Sequence, residues 1–562
     1  MSARGALLLL LSLSTLAFLA ACGNNGNGIT QGQAPPSGAF SDANLNGTYV
    51  FSVSGLDLVN GTPYVVGGTV IANGSGTITG GTLDMNDTAL TAPLIAVPIN
   101  SNGGYTVGKD GRGEFTIGLP TGDNPFGNTN LTFDFVLQNS FHGQVTEFDD
   151  NATGSGTLDA QTAGTTPAGS YAFSLSGAIY SNNGAFATVG NFTLSGSSIT
   201  TGLEDFNSGG VASTNGGAGY ALSGTVQAGG SSTTLSSLTI SPSTFGPGTL
   251  TFDVYPIDST HLKFIEVDSF ATLSGDAFTE ATSVPSGNLV FTLDGLLSGT
   301  TPFAAGGLMV TSGGNIISGS TEDYNNDGSA SAQGAPAAFT GAYSGTSGRF
   351  GVTLSDFFPS TINAFVAYPS SGGLLLLETD DDGITAGAAY VQAQGASFAA
   401  SQGYGGNLSG DNIGSGGAEV DDIAEFTASA SGASCIASTS NGNVTYSSDT
   451  IIGVDDENSS GGGGTLPTPG QALCGQYGSI DTSGRLNLTY YVPGILNGGA
   501  ELTAYTVDGT IFPFIEADSG QVSTGVFILQ NAAATSPSMA KPRSMFVPPH
   551  IVQSKAAKQK QK

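Results

Sequence analysis

A 562-residue chain with 87 glycines, no tryptophan and only 10% charged residues carries 43 acids against 12 bases, a formal charge of −31. A body this acidic repels nucleic acid and anionic lipid, which excludes both as its ligands. Three scattered histidines, His142, His261 and His550, leave little for a zinc centre or a Ser-His-Asp triad.

The first predicted element is a leader over 1–21. Arg4 gives a positive start, Ala6 to Leu19 an apolar run too short for a comfortable bilayer span. The following Leu19-Ala20-Ala21-Cys22-Gly23 resembles the lipobox of bacterial lipoproteins. The resemblance implies acyl chains on Cys22 and a bilayer as the first partner. Gly23, not Asp, follows the cysteine, which by the same resemblance implies the outer membrane, facing periplasm or surface. Residues 22–43 have no apolar period and many turn formers, so they read as a flexible tether.

The body then repeats itself. A strand ending in Glu-x-Asp, a turn and a strand ending in or near Gln recur four times, at Glu147/Asp149, Glu266/Asp268, Glu378/Asp380 and Glu516/Asp518. Spacings of roughly 110 to 140 residues are those of whole domains, so the chain divides into four copies of one unit. The boundaries fall at 44–162, 163–283, 284–394 and 395–532. In the first unit GTYVFSVSG, YVVGGTVIANG, GTITGGTLDMN, GGYTVG, GRGEFTIGL, NLTFDFVLQN, GQVTEFD and GSGTLDAQ alternate apolar and small polar residues and are joined by Gly/Asn/Asp turns. No helical period survives beyond the leader, so the fold is all-β. A sequential eight-strand meander closes most simply as an up-and-down β-barrel, the alternative being a β-sandwich. The opener returns as GSYAFSLSG and GNLVFTLDG and is not recognisable in the fourth unit. Phe264 and Ile265, Leu375 and Leu376, and Phe514 and Ile515 make three Glu-x-Asp strands apolar on both faces, so a second sheet or a neighbouring unit must cover the outside.

LNGTYVFSVSG, YTVGKDGRGEFTI and EFDDNATGSGTLDAQ, over residues 44–162, resemble a group of uncharacterised tandem-repeat lipoproteins from soil bacteria. The resemblance implies location and repeat architecture; no activity comes with it.

Three features bear on chemistry. Glu147 and Asp149 share a strand face at a spacing near that of a glycosidase pair, yet a catalytic pair seldom recurs four times in one chain. Arg112, Arg349 and Arg485 follow glycine at one repeat position, and a buried carboxylate is costly unless paired. The expected structural ion pairs are Arg112 with Glu147 or Asp149, Arg349 with Glu378 or Asp380, and Arg485 with Glu516 or Asp518. Lys263, in the unit without the arginine, sits beside Glu266 on the opposite face. Second, Asp-x-Asn recurs at Asp84/Asn86, Asp205/Asn207, Asp323/Asn325 and Asp456/Asn458, which reads as strand-ending turn chemistry. In the third unit it extends to Asp327-Gly328, making Asp323, Asn325 and Asp327 candidate ligands of a weak calcium site; Gly334 at the twelfth position excludes an EF-hand. No other cofactor is expected. Third, Cys435 and Cys474 are an even pair in an oxidising compartment and read as a disulfide.

The tail, 533–562, holds Lys541, Arg543, Lys555, Lys558, Lys560 and Lys562, no acid and no alternation, and reads as a solvated disordered end, the alternative being contact with an anionic surface or with the protein's own acidic body. The expected function is non-enzymatic: adhesion, binding of a glycan or another surface protein, or a scaffold. The alternative is a carrier holding a small apolar ligand inside each barrel.

Overall fold

The computed structural model describes residues 32–119, 130–162, 167–228, 236–242, 249–331, 335–346, 348–413, 417–439, 442–460, 467–492 and 499–534. Cys22, His550 and the basic tail lie outside these. The described residues form an all-β molecule of four sequential antiparallel sheets, one per repeat.

Each unit curls until its opening strand meets its closing strand. Asn46–Asp57 pairs with Ala152–Ala160, Gly169–Ala178 with Ser274–Thr279, Gly287–Leu297 with Gly383–Val391, and Gly403–Asn412 with Gln521–Leu529. Pairing of Ala185–Ser195 with Ser198–Ser208 completes the circuit of the second sheet, and pairing of Gly287–Leu297 with Thr301–Ser312 that of the third. The fourth is a closed eight-strand barrel. In the first the remaining gap is spanned by a single bridge, Thr77 to Gly104. The barrel-like meander read from the turn spacing is the fold.

Alternation places one aromatic set in each lumen. Phe51, Phe115, Phe133 and Phe135 fill the first, with Phe115 and Phe133 stacked at 4.8 Å. Phe173, Phe192, Phe252 and Phe264 fill the second, and Phe291, Phe339, Phe357 and Phe365 the third. The opener phenylalanine lies against a glycine on the adjoining strand: a Cβ on Gly307 would collide with Phe291. The fourth unit keeps its opener after all, as Gly403–Asn412. Gly406 stands where the others have phenylalanine and Phe527 occupies the vacated space, so the motif is lost while the packing persists.

The apolar outer faces are covered by neighbouring units. Tyr255, Ile257 and Ile265 of the second unit pack on Val50 and Val65 of the first. Residues of the second, third and fourth units, including Val189, Leu375, Tyr505 and Val526, share one apolar cluster. Ala304 meets Ile515 and Val522.

One boundary changes. Residues 32–43, read as tether, are packed: Phe40 is buried and its N–H donates to Lys109 O at 3.0 Å. Composition misled here because the apolar contact comes from one residue rather than a pattern. In the fourth unit the strands Ala418–Thr439 and Gly442–Ser459 form an unusually long hairpin. Cys435 in this hairpin is bridged to Cys474 with Cα atoms 5.8 Å apart. Replacing both cysteines by serine is expected to lower the stability of this unit by about 4 kcal/mol in the chain-entropy account, read as faster amide exchange within 418–477.

Candidate functional site: the joints between units

The Asp-x-Asn and Glu-x-Asp motifs are two halves of one joint. The Asn86 side-chain amide donates to the carbonyls of Glu266, Asp268 and Ala271 in the next unit, at 2.9, 3.0 and 2.9 Å. Asn207 reaches Glu378 and Gly383 at 3.3 and 2.8 Å. Asn325 reaches Glu516, Asp518 and Gln521 at 3.0, 2.8 and 2.8 Å. Asn458 of the last unit returns to the first, donating to Glu147, Asp149 and Ala152 at 2.7, 3.3 and 2.9 Å. The four units therefore close head to tail. Each Asn lies on a strand, its side chain turned out of its own barrel; the turn reading survives only where Asn207 Oδ1 and Asn325 Oδ1 accept from Gly210 and Gly328, both at 3.0 Å. The aspartates of Glu-x-Asp brace the same turns: Asp268 accepts from Thr251 and Phe270, and Asp380 and Asp518 do the equivalent.

The arginines serve these joints too, with partners other than those expected. Arg349 makes a bidentate pair with Asp205 (2.6 and 2.7 Å) and Arg485 with Asp323 (2.6 and 2.9 Å). Arg112 pairs with Asp456 of the last unit and with Asp110 at 3.2 Å. None of these partners is Glu147, Asp149, Glu378, Asp380, Glu516 or Asp518. Strand parity gives the reason: Arg112 lies opposite Val136 whereas Glu147 lies opposite Phe133, so the arginine faces outward and the glutamate into the lumen. The same holds for Arg485, opposite Tyr505, and Glu516, opposite Leu502. At the first joint, where the arginine is missing, the hydroxyl of Tyr255 donates to Asp84, as Tyr368 and Tyr505 do to Asp205 and Asp323. Lys263 pairs with Asp276 at 2.9 Å, beside His261.

Two of the calcium candidates Asp323, Asn325 and Asp327 have protein partners at this joint. A guanidinium occupies Asp323, and Asn325 turns its amide outward as a donor. Among the described residues no group of three or more His, Cys, Asp or Glu side chains is disposed to hold a metal ion.

The strand-ending glutamines complete the joint. Gln392 donates to Ser483 O and Thr506 O at 2.9 and 3.0 Å; Gln530 donates to Asp110 O and Leu137 O at 2.8 and 3.0 Å. These pairs put Gln392, Ser483 and Thr506 in register with Gln530, Asp110 and Leu137. At the closing joint a further segment is laid over this place. Pro35 sits on Gly403, Phe40 beside Gly111 and Gln530, and Ser37 Oγ accepts from Ala532 N at 3.4 Å. At the joint of the third and fourth units no such segment is present among the described residues. Its place is a groove of about 510 Å³ lined by Ser286, Asn288, Gln392, Gln394, Asp481 and Gly484 among others. This groove, which sequence reasoning missed, is the candidate binding site. Its signal was spread over three distant segments and emerges only from superimposing one joint on another.

No family model matches the chain, and no curated protein does. Among solved structures, the intact transferrin binding protein B titled Ap-TbpB, with N and C lobes, is 9% identical over 86% of this chain and 95% of its own, with a TM-score of 0.18. Transferrin binding protein B of Haemophilus parasuis is 10% identical over 69% and 83%, TM-score 0.16. That of Neisseria meningitidis serogroup B is 11% identical over 69% and 84%, TM-score 0.17. Scores this low carry no argument about this chain.

The lumens hold buried acids. More than half of the 43 acids are buried, which removes much of the formal charge from the surface. Burial, reinforced by Asp149, raises the Glu147 carboxyl well above the usual range, and Glu266 and Glu516 behave alike beside Asp268 and Asp518. Glu378 is pushed up to about 9 by burial and by Asp380. A void of about 10 Å³ in the fourth lumen, lined by Asn407, Asp422, Asp455 and Phe514, holds about one water.

Proposed function

We propose that this chain is a non-enzymatic binding protein of the bacterial envelope, anchored through Cys22, whose groove between the third and fourth units receives an extended segment of a surface protein. The observation that supports the reading is the contrast between two equivalent joints, one covered by residues 35–40 and one uncovered among the described residues. The acids most open to a catalytic reading favour a structural role, since Glu147 and Glu378 face aromatic lumens and their companions hold turns. Multivalency is not needed, because one groove differs from its counterpart.

Two experiments test this. Cys22→Ser is expected to move the protein from the membrane to the soluble fraction, and unchanged membrane association refutes the anchor. A synthetic peptide with the sequence of residues 34–40, titrated into the soluble Cys22→Ser chain, is expected to bind, and Asn288→Trp, which fills the groove, to abolish binding. Binding to a glycan panel that survives Asn288→Trp would move the site elsewhere.

A further inference from the structure

We propose that the joint between the first and second units binds calcium, held between the carboxylates of Asp84 and Asp253. The ground is a comparison of the four joints at one pair of positions. The first position is the aspartate of Asp-x-Asn. The second, on the facing strand, lies two residues before Tyr255, Tyr368, Tyr505 or their counterpart Val136, and reads Asp253, Val366, Thr503 and Asp134. Both positions at the first joint face out of their own barrels. Asp84 stands between Leu83 and Met85, which face the first lumen, and Asp253 pairs with Ile265, which packs on the first unit.

The charges at these positions differ from joint to joint. At the second and third, one acid meets one guanidinium, Asp205 with Arg349 and Asp323 with Arg485, and the other position is Val366 or Thr503. At the closing joint both positions are acids, Asp456 and Asp134, and Arg112 brings positive charge to both. The first joint repeats that pair of acids with no base among the described residues. No lysine or arginine lies between Arg112 and Lys263 in the sequence, and Lys263 is engaged with Asp276. His142 and His261 are taken by Asp159 and Asp276, and Lys109 is exposed beside the closing joint.

The second ground is an unpartnered oxygen. Asp84 is fully buried and Asp253 is 4% exposed. Asp84 accepts from Ala96 N at 2.6 Å and from the Tyr255 hydroxyl. It has no counterpart of the two guanidinium bonds made to Asp205 and to Asp323. Asp253 Oδ2 is buried without a hydrogen-bond donor among the described residues. Burial first, and then the Asp84 carboxylate beside it, raise the Asp253 carboxyl. Two adjoining buried carboxylates call for a positive charge, and a divalent ion neutralises both at once. Calcium accepts carboxylate, hydroxyl and water oxygens in irregular geometry, which suits two aspartates from different units and the tyrosine between them. With only two charged ligands its affinity belongs at about 0.1 to 1 mM, the range of extracellular calcium modules.

The test uses the full Cys22→Ser chain and terbium, which takes the oxygen ligands of calcium and luminesces when a neighbouring tyrosine is excited. Terbium is expected to give a saturable signal that calcium displaces. Asp253→Thr, which installs the residue of the fourth unit, should weaken terbium binding at least about tenfold, since one of two charged ligands is gone. No calcium-displaceable signal in the parent chain means that the two acids share a proton instead, and overturns the proposal. An equal signal in Asp253→Thr overturns it as well. Asp253→Asn keeps the shape of the side chain and guards against a folding defect. Amide protection of 169–279 like the parent's, with the calcium response lost, supports the site, and a retained response refutes it. Tyr255→Phe removes the antenna but neither carboxylate. It should lose the luminescence while calcium still raises the thermal midpoint, and luminescence that survives it puts the ion elsewhere and overturns the assignment.

Discussion

Arg112→Met is expected to destabilise the closing joint by about 3 to 5 kcal/mol, because two buried carboxylates, Asp456 and Asp110, lose their counter-charge. Arg112 is 1% exposed and its two partners are equally buried. Burial pulls its guanidinium down, but Asp456 and Asp110 more than offset this and hold it above its ordinary value. Amide exchange should accelerate at residues 46–160 and 403–534 while 169–279 is protected as before. Adding Asp456→Leu should recover part of the loss, since of the two carboxylates only Asp110 is then left without its counter-charge. Unchanged exchange in the single variant would mean that the pair contributes nothing to closure.

Stability should fall as pH rises from about 5 to 9, the reverse of the behaviour of a protein built on salt-bridged carboxylates. Burial is the first cause throughout: it pushes Glu378 and Glu322 up to about 9, Asp253 to about 8 and Glu204 to about 7. An acid with a raised folded pKa binds its proton more tightly in the native state than in the unfolded chain. Its contribution is complete below the unfolded value of about 4 and is lost as pH climbs through the folded one. Asp159 and Asp276, despite burial, are lowered, by His142 and by Lys263 respectively, so their contribution appears above about pH 4. Glu378→Gln should therefore raise stability at pH 9 by at least about 1.4 kcal/mol, the worth of one pKa unit, and change little at pH 4. Urea unfolding at the two pH values decides it; a gain that is equal at both would show that the substitution acts through packing.

Local pattern carried the fold and failed at the joints, for one physical reason. The alternation in NLTFDFVLQN and the glycine turns specify strands and their inward faces, because those are properties of neighbouring residues. Even the need for an outer cover was legible in Phe514-Ile515 and its counterparts. The partners of Arg112, Arg349 and Arg485 were not, although parity already separated Arg112 from Glu147. Both sets recur in step, and co-recurrence suggested contact within a unit. Asp-x-Asn recurs in the same step but acts on the next unit, and periodicity alone cannot tell a partner in the same copy from one in the following copy. The fourth opener was missed because Gly406 and Phe527 exchanged roles across two strands, which keeps volume while erasing the motif.

Because each unit carries one donor asparagine and one set of acceptor carbonyls, a solitary unit would expose a plug at one side and an empty socket at the other. Such a heterologous contact makes either an endless filament or a closed assembly, and the turn per step decides which. Asn458 reaching back to Glu147, Asp149 and Ala152 means that four steps complete the rotation. Copy number is thus an angular property of one asparagine socket. A gene with a fifth unit inserted would leave its last plug unfilled and its first socket open, and the excess unit would be free to recruit another molecule.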